Sequence, residues 1–307
     1  MEDTPFQDIL IIGEGKLSCS LSVCLALSAS NVTWYTSTKQ ESLDRLHLHQ
    51  QDTSANQWPK AAPVSVIDQW PDISSCQLVF ISAEMPVDEI KRFINKLESV
   101  GQAEFIIAIG TAGLPLSELQ TGSRHPENIV GVNWSEPVHT SYFMEIVANK
   151  ITNATISDQL LRVGKDYWSK DPYLVEGEYG IQDRLISALI REALYLVKND
   201  YASPSDIDRA CRNDAGTYLP FAGNFRYMDL MGTYLYGVVM EKLNKELSTD
   251  NTVVGILQNM VANERTGMEA GQGFYSYDEE EAGRIDQKMR TFGFAIQKLM
   301  GKYIDPT

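Results

Sequence analysis

The sequence predicts an α/β Rossmann-like domain with a parallel sheet, followed by an all-α helical domain. Three observations support this fold class. Short apolar runs alternate with amphipathic stretches over the first half of the chain. From about residue 180 onward, apolar residues recur at helical spacing nearly throughout. A chain of 307 residues is also long for one average domain. We therefore expect a first domain at residues 1–178 and a second at residues 179–307 that ends in a helical tail.

The predicted strands of the first domain are short apolar runs bounded by turn residues. Asp8–Ile12 is almost continuously apolar and is followed by Gly13, which is typical of a strand buried on both faces of a parallel sheet. Further strands are predicted at 32–35, 64–67, 78–81, 105–109, 129–132, 143–147 and 173–175. Helices are predicted between several of these runs, and residues 87–100 put their apolar side chains on one helical face. Strands separated by helices indicate βαβ units.

The second half of the chain is predicted to consist of helices. Ser203, Pro204 and Asp206 follow the order of a helix N-cap, a first-turn proline and a third-position acid. Longer helices are predicted at 227–247, 253–262 and 281–300. The predicted boundary near residue 178 is therefore a change of hydrophobic period, since no flexible linker marks it.

Composition excludes several classes of function. The formal net charge of −15 comes from 41 acidic and 26 basic residues, and such a surface repels phosphate backbones, so we expect no nucleic-acid partner. The four cysteines lack the spacing of metal ligands or of a disulfide framework, and no metal site is predicted. No apolar run reaches the roughly 18 residues that span a bilayer. The acidic start does not resemble a signal peptide, so we expect a cytoplasmic protein without a membrane partner.

The first strand–helix junction carries a dinucleotide-binding fingerprint, Gly13-Glu14-Gly15-Lys16-Leu17-Ser18. In this fingerprint the first glycine permits a tight turn, and the second lets a pyrophosphate approach the backbone at the start of a helix. Ser18 replaces the usual third glycine, and a small side chain there still permits helix–strand packing. The candidate cofactor-binding residues are Gly13, Gly15, Lys16, Leu17 and Ser18, joined by Ala83 and Glu84 after the fourth predicted strand.

The end of the second strand bears on the choice of cofactor. NAD enzymes usually carry an acid there for the adenosine ribose, whereas this chain has Thr36, Ser37, Thr38 and Lys39. Hydroxyl groups followed by a lysine could donate hydrogen bonds to a 2′-phosphate, which slightly favours NADP(H) over NAD(H). The alternatives left open are that these are ordinary loop residues, or that no dinucleotide binds.

Three blocks of the second half occur in the order of a known family. They are SPSDIDRA at 203–210, GNFRYMDLMG at 223–232 and GQGFY at 271–275. They resemble the C-terminal domain of 3-hydroxyacyl-CoA dehydrogenases, and the first domain resembles the same family at 13–18, 114–116 and 131–147. The resemblance implies a dinucleotide-dependent oxidoreductase that acts on a CH–OH or C=O group and pairs through its helical domain.

The resemblance also implies catalytic positions, and three of the four have changed. The family histidine falls on Asn133, the substrate-binding serine on Ala112 and the helix asparagine on Asp183. Glu145, twelve residues after Asn133, matches the glutamate that orients the histidine. An amide cannot act as a general base near neutral pH. His139 and Tyr142, on the loop between Asn133 and Glu145, are candidates for a shifted base.

Members of the family usually carry a two-helix insertion after the second strand, which helps to hold CoA. In this chain only residues 37–63 are available for such an insertion. This stretch is polar and is predicted as a loop with His47 and His49 on its surface. We therefore favour an oxidoreductase with an altered small-molecule substrate and altered acid–base residues. The alternatives are a non-catalytic family member that binds a dinucleotide or a partner, and an ordinary 3-hydroxyacyl-CoA dehydrogenase.

The predicted helix at 227–247 carries a wide apolar face. Its members are Met228, Met231, Tyr234, Leu235, Val238 and Val239. A face this broad exceeds what one small domain needs, and we predict a homodimer paired through the helical domains. The alternative is a helix buried inside its own domain.

Overall fold

The computed structural model describes residues 6–82, 84–100, 105–252 and 255–304. The chain divides into two compact units, of which the first ends at Arg184 and the second begins at Leu185. The division falls within helix α6 (Ile181–Lys198), slightly after the boundary at residue 178 that the sequence predicts, and that boundary stays a prediction. Ala83, a candidate cofactor-binding residue, lies outside the described residues.

The first unit is built on an eight-stranded sheet in the order β3-β2-β1-β4-β5-β6-β7-β8. The strands are β1 (Asp8–Ile12), β2 (Asn31–Tyr35), β3 (Val64–Ile67), β4 (Leu78–Ile81), β5 (Ile106–Ile109), β6 (Ile129–Trp134), β7 (Phe143–Ala148) and β8 (Asp171–Glu176). Within the described sheet, β6 and β7 pair antiparallel and all other neighbours pair parallel. The predicted Rossmann-like fold is confirmed, with one antiparallel connection that the sequence analysis did not predict.

Helices cover both faces of this sheet. They are α1 (Gly15–Leu27), α2 (Lys39–Ala55), α3 (Val87–Glu98), α4 (Leu116–Gln120) and α5 (Ala154–Asp166). Alternate residues of β1 belong to different cores: Ile9 and Ile11 pack in one buried cluster, and Leu10 and Ile12 pack in the other. This double burial explains why the first strand is an almost unbroken apolar run.

Residues 37–63 contain a helix that the sequence analysis predicted as a loop. Helix α2 spans 17 residues and buries one stripe at helical spacing, consisting of Ser42, Leu46, His49 and Thr53. Three of these four side chains are polar, so the hydrophobic periodicity that normally reveals a helix is weak here. His49, predicted on the surface, is buried. The segment holds one helix, whereas the resemblance to the family calls for two packed ones.

The second unit is helical, as predicted. It consists of the rest of α6 together with α7 (Pro204–Ala210), α8 (Gly216–Met231), α9 (Thr233–Leu243), α10 (Gly255–Ala262) and α11 (Glu279–Tyr303). Ser203 and Asp206 form the reciprocal capping box of α7. The predicted continuous helix at 227–247 is instead broken at Gly232, whose φ of +90° lies in the left-handed region that favours glycine. No helix in the described ranges is long and apolar enough to cross a membrane.

Candidate functional site

The turn between β1 and α1 has the geometry that its glycines imply. Gly13 and Gly15 have φ values of +155° and +74°. A Cβ on Gly13 would lie 2.5 Å from the Ser82 Cβ, and one on Gly15 would lie 2.9 Å from Glu84 Oε2. Trp34 Nε1 also donates a hydrogen bond of 2.8 Å to the Gly13 carbonyl. A larger side chain would clash at Gly13 and would be strained by the positive φ at Gly15, so glycine is favoured at both positions.

Helix α1 begins at Gly15 without any side chain capping its N-terminus. Its first N–H groups are consequently available to an anion, and the helix dipole favours negative charge there. Ser18 is almost completely buried, and its hydroxyl has no hydrogen-bond partner among the described residues. The loop, the open helix start and this unused hydroxyl fit the pyrophosphate of a dinucleotide.

The candidate phosphate ligands after β2 are already engaged within the protein. Thr36 is buried, and its hydroxyl pairs with those of Thr38 and Ser42. Ser37 Oγ donates a hydrogen bond to Glu14 Oε1. Lys39 Nζ lies 3.6 Å from Asp68 Oδ1. Each exposed donor that was predicted to favour a 2′-phosphate therefore faces a carboxylate.

A cleft of about 280 Å³ in the first unit joins the fingerprint loop to the candidate catalytic positions. Its polar lining consists of Ser18, Ser82, Glu84, Asn133, Gln182 and Asp183, and its other lining residues are Ile11, Leu17, Leu21, Phe80, Ile81, Gly110, Ala112, Val132 and Trp134. Among the described residues that line it, none is a lysine, arginine or histidine. The cleft brings together three of the four positions implied by the resemblance, Ala112, Asn133 and Asp183.

Asn133 and Glu145, the fourth position, are directly opposite each other in the antiparallel β6–β7 pair. This register explains why a separation of twelve residues brings their side chains into contact. Asn133 Nδ2 donates to Glu145 Oε2 at 2.9 Å and to Thr111 Oγ1 at 3.0 Å. Asn133 Oδ1 accepts from the Thr111 backbone N–H at 2.9 Å. Both amide hydrogens of Asn133 are therefore committed to neighbours.

The Glu145 carboxylate is fully buried and is held by several donors. Its Oε1 accepts from the N–H groups of Ile181 and Gln182, at 2.7 and 3.2 Å, and from Tyr173 Oη at 2.9 Å. These backbone donors form the start of α6, where the helix dipole stabilises a negative charge. Burial, followed by the hydrogen bond and the charge of Glu145, raises the pKa of Tyr173 well above its ordinary value, so the phenol remains a donor.

Gly180 allows α6 to start this close to the carboxylate. A Cβ at this position would lie only 2.0 Å from Glu145 Oε2. The sequence analysis missed Gly180, because the requirement comes from a close tertiary approach and no local turn motif signals it.

Thr111 is a second residue that the sequence analysis missed, and it connects Asn133 to Asp183. Asp183 Oδ2 accepts from Thr111 Oγ1 and from the Gly113 backbone N–H, both at 3.1 Å. Both bonds go to Oδ2, and in the described part of the chain no donor bonds to Oδ1. Ala112 lies in the same turn, with a φ of +42°. The position of Thr111, two residues after the end of β5, was the available signal, since ligand sites of parallel sheets lie at the carboxyl ends of strands.

The candidates for a shifted base are not among the residues that line the cleft. The His139 ring is buried and lies edge-on to His49 of α2, with 5.1 Å between ring centroids, and edge-on to Trp58 at 6.1 Å. Tyr142 is likewise absent from the cleft lining. A position on the connection between β6 and β7 therefore does not bring either side chain into the cleft wall.

Glu136 is a titratable group that the sequence analysis did not single out. It accepts a hydrogen bond from Ser20 Oγ of α1. Burial raises the pKa of Glu136 to about 7, although this hydrogen bond and the positive charges of Lys16 and Arg45 act in the opposite direction. This carboxyl therefore changes charge near neutral pH.

Comparison with known proteins identifies both halves of the chain. The family model of the NAD-binding domain of 3-hydroxyacyl-CoA dehydrogenase matches residues 8–178, and that of the C-terminal domain matches residues 181–277. The chain is 27% identical over 218 residues to a 5-formyl-3-hydroxy-2-methylpyridine 4-carboxylate 5-dehydrogenase of Mesorhizobium japonicum, covering 69% of this chain and 68% of the relative. It is 24% identical over 270 residues to a 3-hydroxybutyryl-CoA dehydrogenase of Clostridioides difficile, covering 85% and 88%.

A solved structure has the same fold over nearly the whole chain. This is the 5-formyl-3-hydroxy-2-methylpyridine 4-carboxylic acid 5-dehydrogenase, an NAD⁺-dependent dismutase, with a TM-score of 0.88. The match covers 96% of this chain and 99% of the other at 22% identity. At this identity the likeness establishes the fold.

Proposed function

The chain belongs to the 3-hydroxyacyl-CoA dehydrogenase family, and on that premise we propose that it is an NAD(H)-dependent oxidoreductase in which Asp183 exchanges the substrate proton. The substrate is a small alcohol or carbonyl compound without CoA. The proposal depends chiefly on one observation: Asp183 lines the same cleft as the dinucleotide loop, with Oδ2 held by two donors and Oδ1 unbonded.

The chain's own residues fit the cofactor at one end of the cleft. Gly13 and Gly15 have positive φ values and no side chains to cover the loop backbone, and the uncapped start of α1 provides N–H donors. When bound, the dinucleotide supplies hydride exchange at its nicotinamide ring. Leu17 and Ile81 give the cleft apolar walls that exclude water from this end.

At the other end of the cleft, Asp183 is a better candidate for proton transfer than Asn133. The amide of Asn133 has no basic lone pair, and both of its hydrogens are engaged by Glu145 and Thr111. We therefore assign Asn133 a positioning role, which fixes Thr111 and through it Asp183. In the oxidation of an alcohol, Asp183 Oδ1 accepts the hydroxyl proton, and in the reduction of a carbonyl it returns that proton.

The cleft favours a substrate without CoA. Glu84 and Asp183 give the lining two carboxylates, and no cationic side chain of the lining offsets the phosphate charges of CoA. A single helix, α2, also occupies the segment in which the resemblance calls for two helices to help hold CoA. Acyl-CoA relatives such as the 3-hydroxybutyryl-CoA dehydrogenase therefore share the fold of this chain without sharing its substrate.

The test is the turnover of small alcohols, aldehydes and ketones by wild type and an Asp183→Asn variant. We expect the variant to lose about 10²- to 10⁴-fold in kcat, the usual contribution of a positioned acid or base, with NADH affinity retained. Asp158→Asn, an exposed carboxylate on α5, is the charge-matched control and should be unaffected. Full activity of Asp183→Asn would contradict the proposed role.

The second candidate function is that of a non-catalytic member that binds the dinucleotide or a partner. The observation that favours it is the full engagement of the Asn133 amide, which leaves no basic group at the family's histidine position. Tight NADH binding without turnover of any substrate in the panel, and without conversion of 3-hydroxybutyryl-CoA or acetoacetyl-CoA, would support it over the oxidoreductase.

We also propose a homodimer formed through the helical unit. On α8 and α9, Phe225, Leu230 and Tyr234 are 77%, 69% and 84% exposed. Large apolar side chains this exposed are unusual on a monomer if they form one patch, and such patches are typical of obligate interfaces. A second copy of the same chain presents the same faces and can cover them by two-fold pairing.

A further inference from the structure

We propose that Glu14, the residue between the two glycines of the fingerprint loop, recognises the adenosine ribose and makes NAD(H) the preferred cofactor. This inference rests on the dinucleotide binding of the proposed function. NAD enzymes usually carry this acid at the end of the second strand, whereas here Glu14 provides it from the neighbouring loop.

The end of β2 lacks a suitable acid of its own. Thr36, the first residue after the strand, is buried and bonded to Thr38 and Ser42, so its hydroxyl is not presented to a ligand. Ser37 is next, and its hydroxyl is the nearest exposed polar group. In a Rossmann domain the ribose hydroxyls lie beside this end of the strand.

Glu14 supplies the missing carboxylate. It occupies the N-cap position of α1 with an extended backbone, at φ −119° and ψ 179°, yet its side chain does not cap the helix. It reaches the end of β2 instead, where Oε1 accepts the hydrogen bond from Ser37 Oγ. Within the described ranges Oε2 takes no hydrogen bond. An exposed carboxylate with a free oxygen is suited to accept from the vicinal hydroxyls of a ribose.

The neighbouring charges disfavour a 2′-phosphate. Lys39, the cation that could bind such a group, is paired with Asp68 at 3.6 Å. This edge of the sheet therefore presents two carboxylates, Glu14 and Asp68, against one ammonium group. A phosphate placed there would be repelled, because like charges at close range cost free energy. The arrangement favours NAD(H), the opposite of the preference predicted from the sequence.

Calorimetric titration of the full chain with NADH, NADPH, ADP-ribose and 2′-phospho-ADP-ribose tests this assignment. In wild type we expect NADH and ADP-ribose to bind at least about tenfold more tightly than their 2′-phosphorylated counterparts. Glu14→Gln should weaken NADH and ADP-ribose by about tenfold and tighten both 2′-phosphates, because it keeps the side-chain length but removes the charge. Asp44→Asn, an exposed carboxylate of α2, makes the same change in net charge and should leave the preference unaltered.

A second variant keeps the inference falsifiable if Glu14→Gln fails to fold. Asp68→Asn releases Lys39 and should tighten NADPH by several-fold with NADH unchanged. Equal affinity of wild type for NADH and NADPH, or an equal change of both in Glu14→Gln, would overturn the inference. These are binding measurements, so the expected preference without any turnover would contradict only the proposed enzymatic function. Efficient turnover with NADPH would contradict only the assignment to Glu14.

Discussion

The two compact units bury their apolar residues to very different extents. The first unit contains two hydrophobic cores, one on each face of the sheet, in which large side chains such as Trp34 and Leu25 are fully buried. In the second unit, Leu194, Met260 and Phe294 are the buried large apolar side chains of the described residues, while whole helical faces are exposed. The first unit is therefore stabilised from within, whereas the second leaves apolar surface exposed that the proposed homodimer would cover.

The largest expected effect comes from charging the exposed face of α9. In the double variant Tyr234→Asp and Leu235→Asp, a dimer should dissociate, with a loss of about 4 kcal/mol or more in association free energy if both are central contacts. Sedimentation velocity at micromolar concentration gives the measurement. Leu48→Asp, which charges an exposed leucine of α2 in the first unit, is the matched control and should keep the wild-type mass. If the wild-type chain sediments as a monomer, the proposed homodimer is wrong and does not explain the exposed faces.

The next effect tests the dense packing of the first unit. Gly180→Ala places a methyl group against Glu145 Oε2, and relief of that clash requires the start of α6 to move away from a buried carboxylate. We expect a loss of about 3 kcal/mol in the free energy of unfolding, measured in urea, from overpacking and weakened hydrogen bonds. At Gly177 a Cβ would meet nothing within 4 Å, so Gly177→Ala should cost much less. Equal effects of the two substitutions would mean that the close approach is unimportant.

The smallest effect concerns Glu136, the half-buried carboxyl beside α1. Its pKa of about 7 in the folded chain exceeds the ordinary value of 4.5, so the folded state holds the proton more tightly than the unfolded state. Its contribution is fully present below pH 4.5 and is lost as the pH rises through 7. Glu136→Gln should therefore gain stability relative to wild type between pH 5 and pH 8, by about 1–2 kcal/mol after allowance for partial exposure. If the free energies of unfolding of wild type and Glu136→Gln change with pH in parallel, the assigned pKa shift of Glu136 is wrong.

The sequence predicted the sheet well because its central strands are buried on both faces. The apolar runs at β1, β4 and β5 are interpretable without tertiary information. Helix α2 was missed because its inward stripe is mostly polar, and the break at Gly232 was missed because the apolar spacing continues across it.

The candidate site was less accessible to sequence analysis than the fold. Resemblance to a family supplied Asn133, Glu145 and Asp183. In the structure Asn133 bonds directly to Glu145, and Thr111 links Asn133 to Asp183. Thr111 and Gly180 matter because of contacts with residues distant in sequence, and a single sequence records no such contacts. The engagement of Lys39 by Asp68 was invisible for the same reason.

The antiparallel pairing of Asn133 with Glu145 has an evolutionary consequence. The partner of position 133 is specified by backbone register, so it stays the same whichever side chain the position carries. Asparagine and histidine codons differ by a single base, as do those of asparagine and aspartate. A lineage can therefore exchange an imidazole for an amide at position 133, and an amide for a carboxylate at position 183, by two point mutations that leave the sheet untouched. Neither change alters the register of β6 and β7, so the chemistry of the cleft can be replaced one nucleotide at a time.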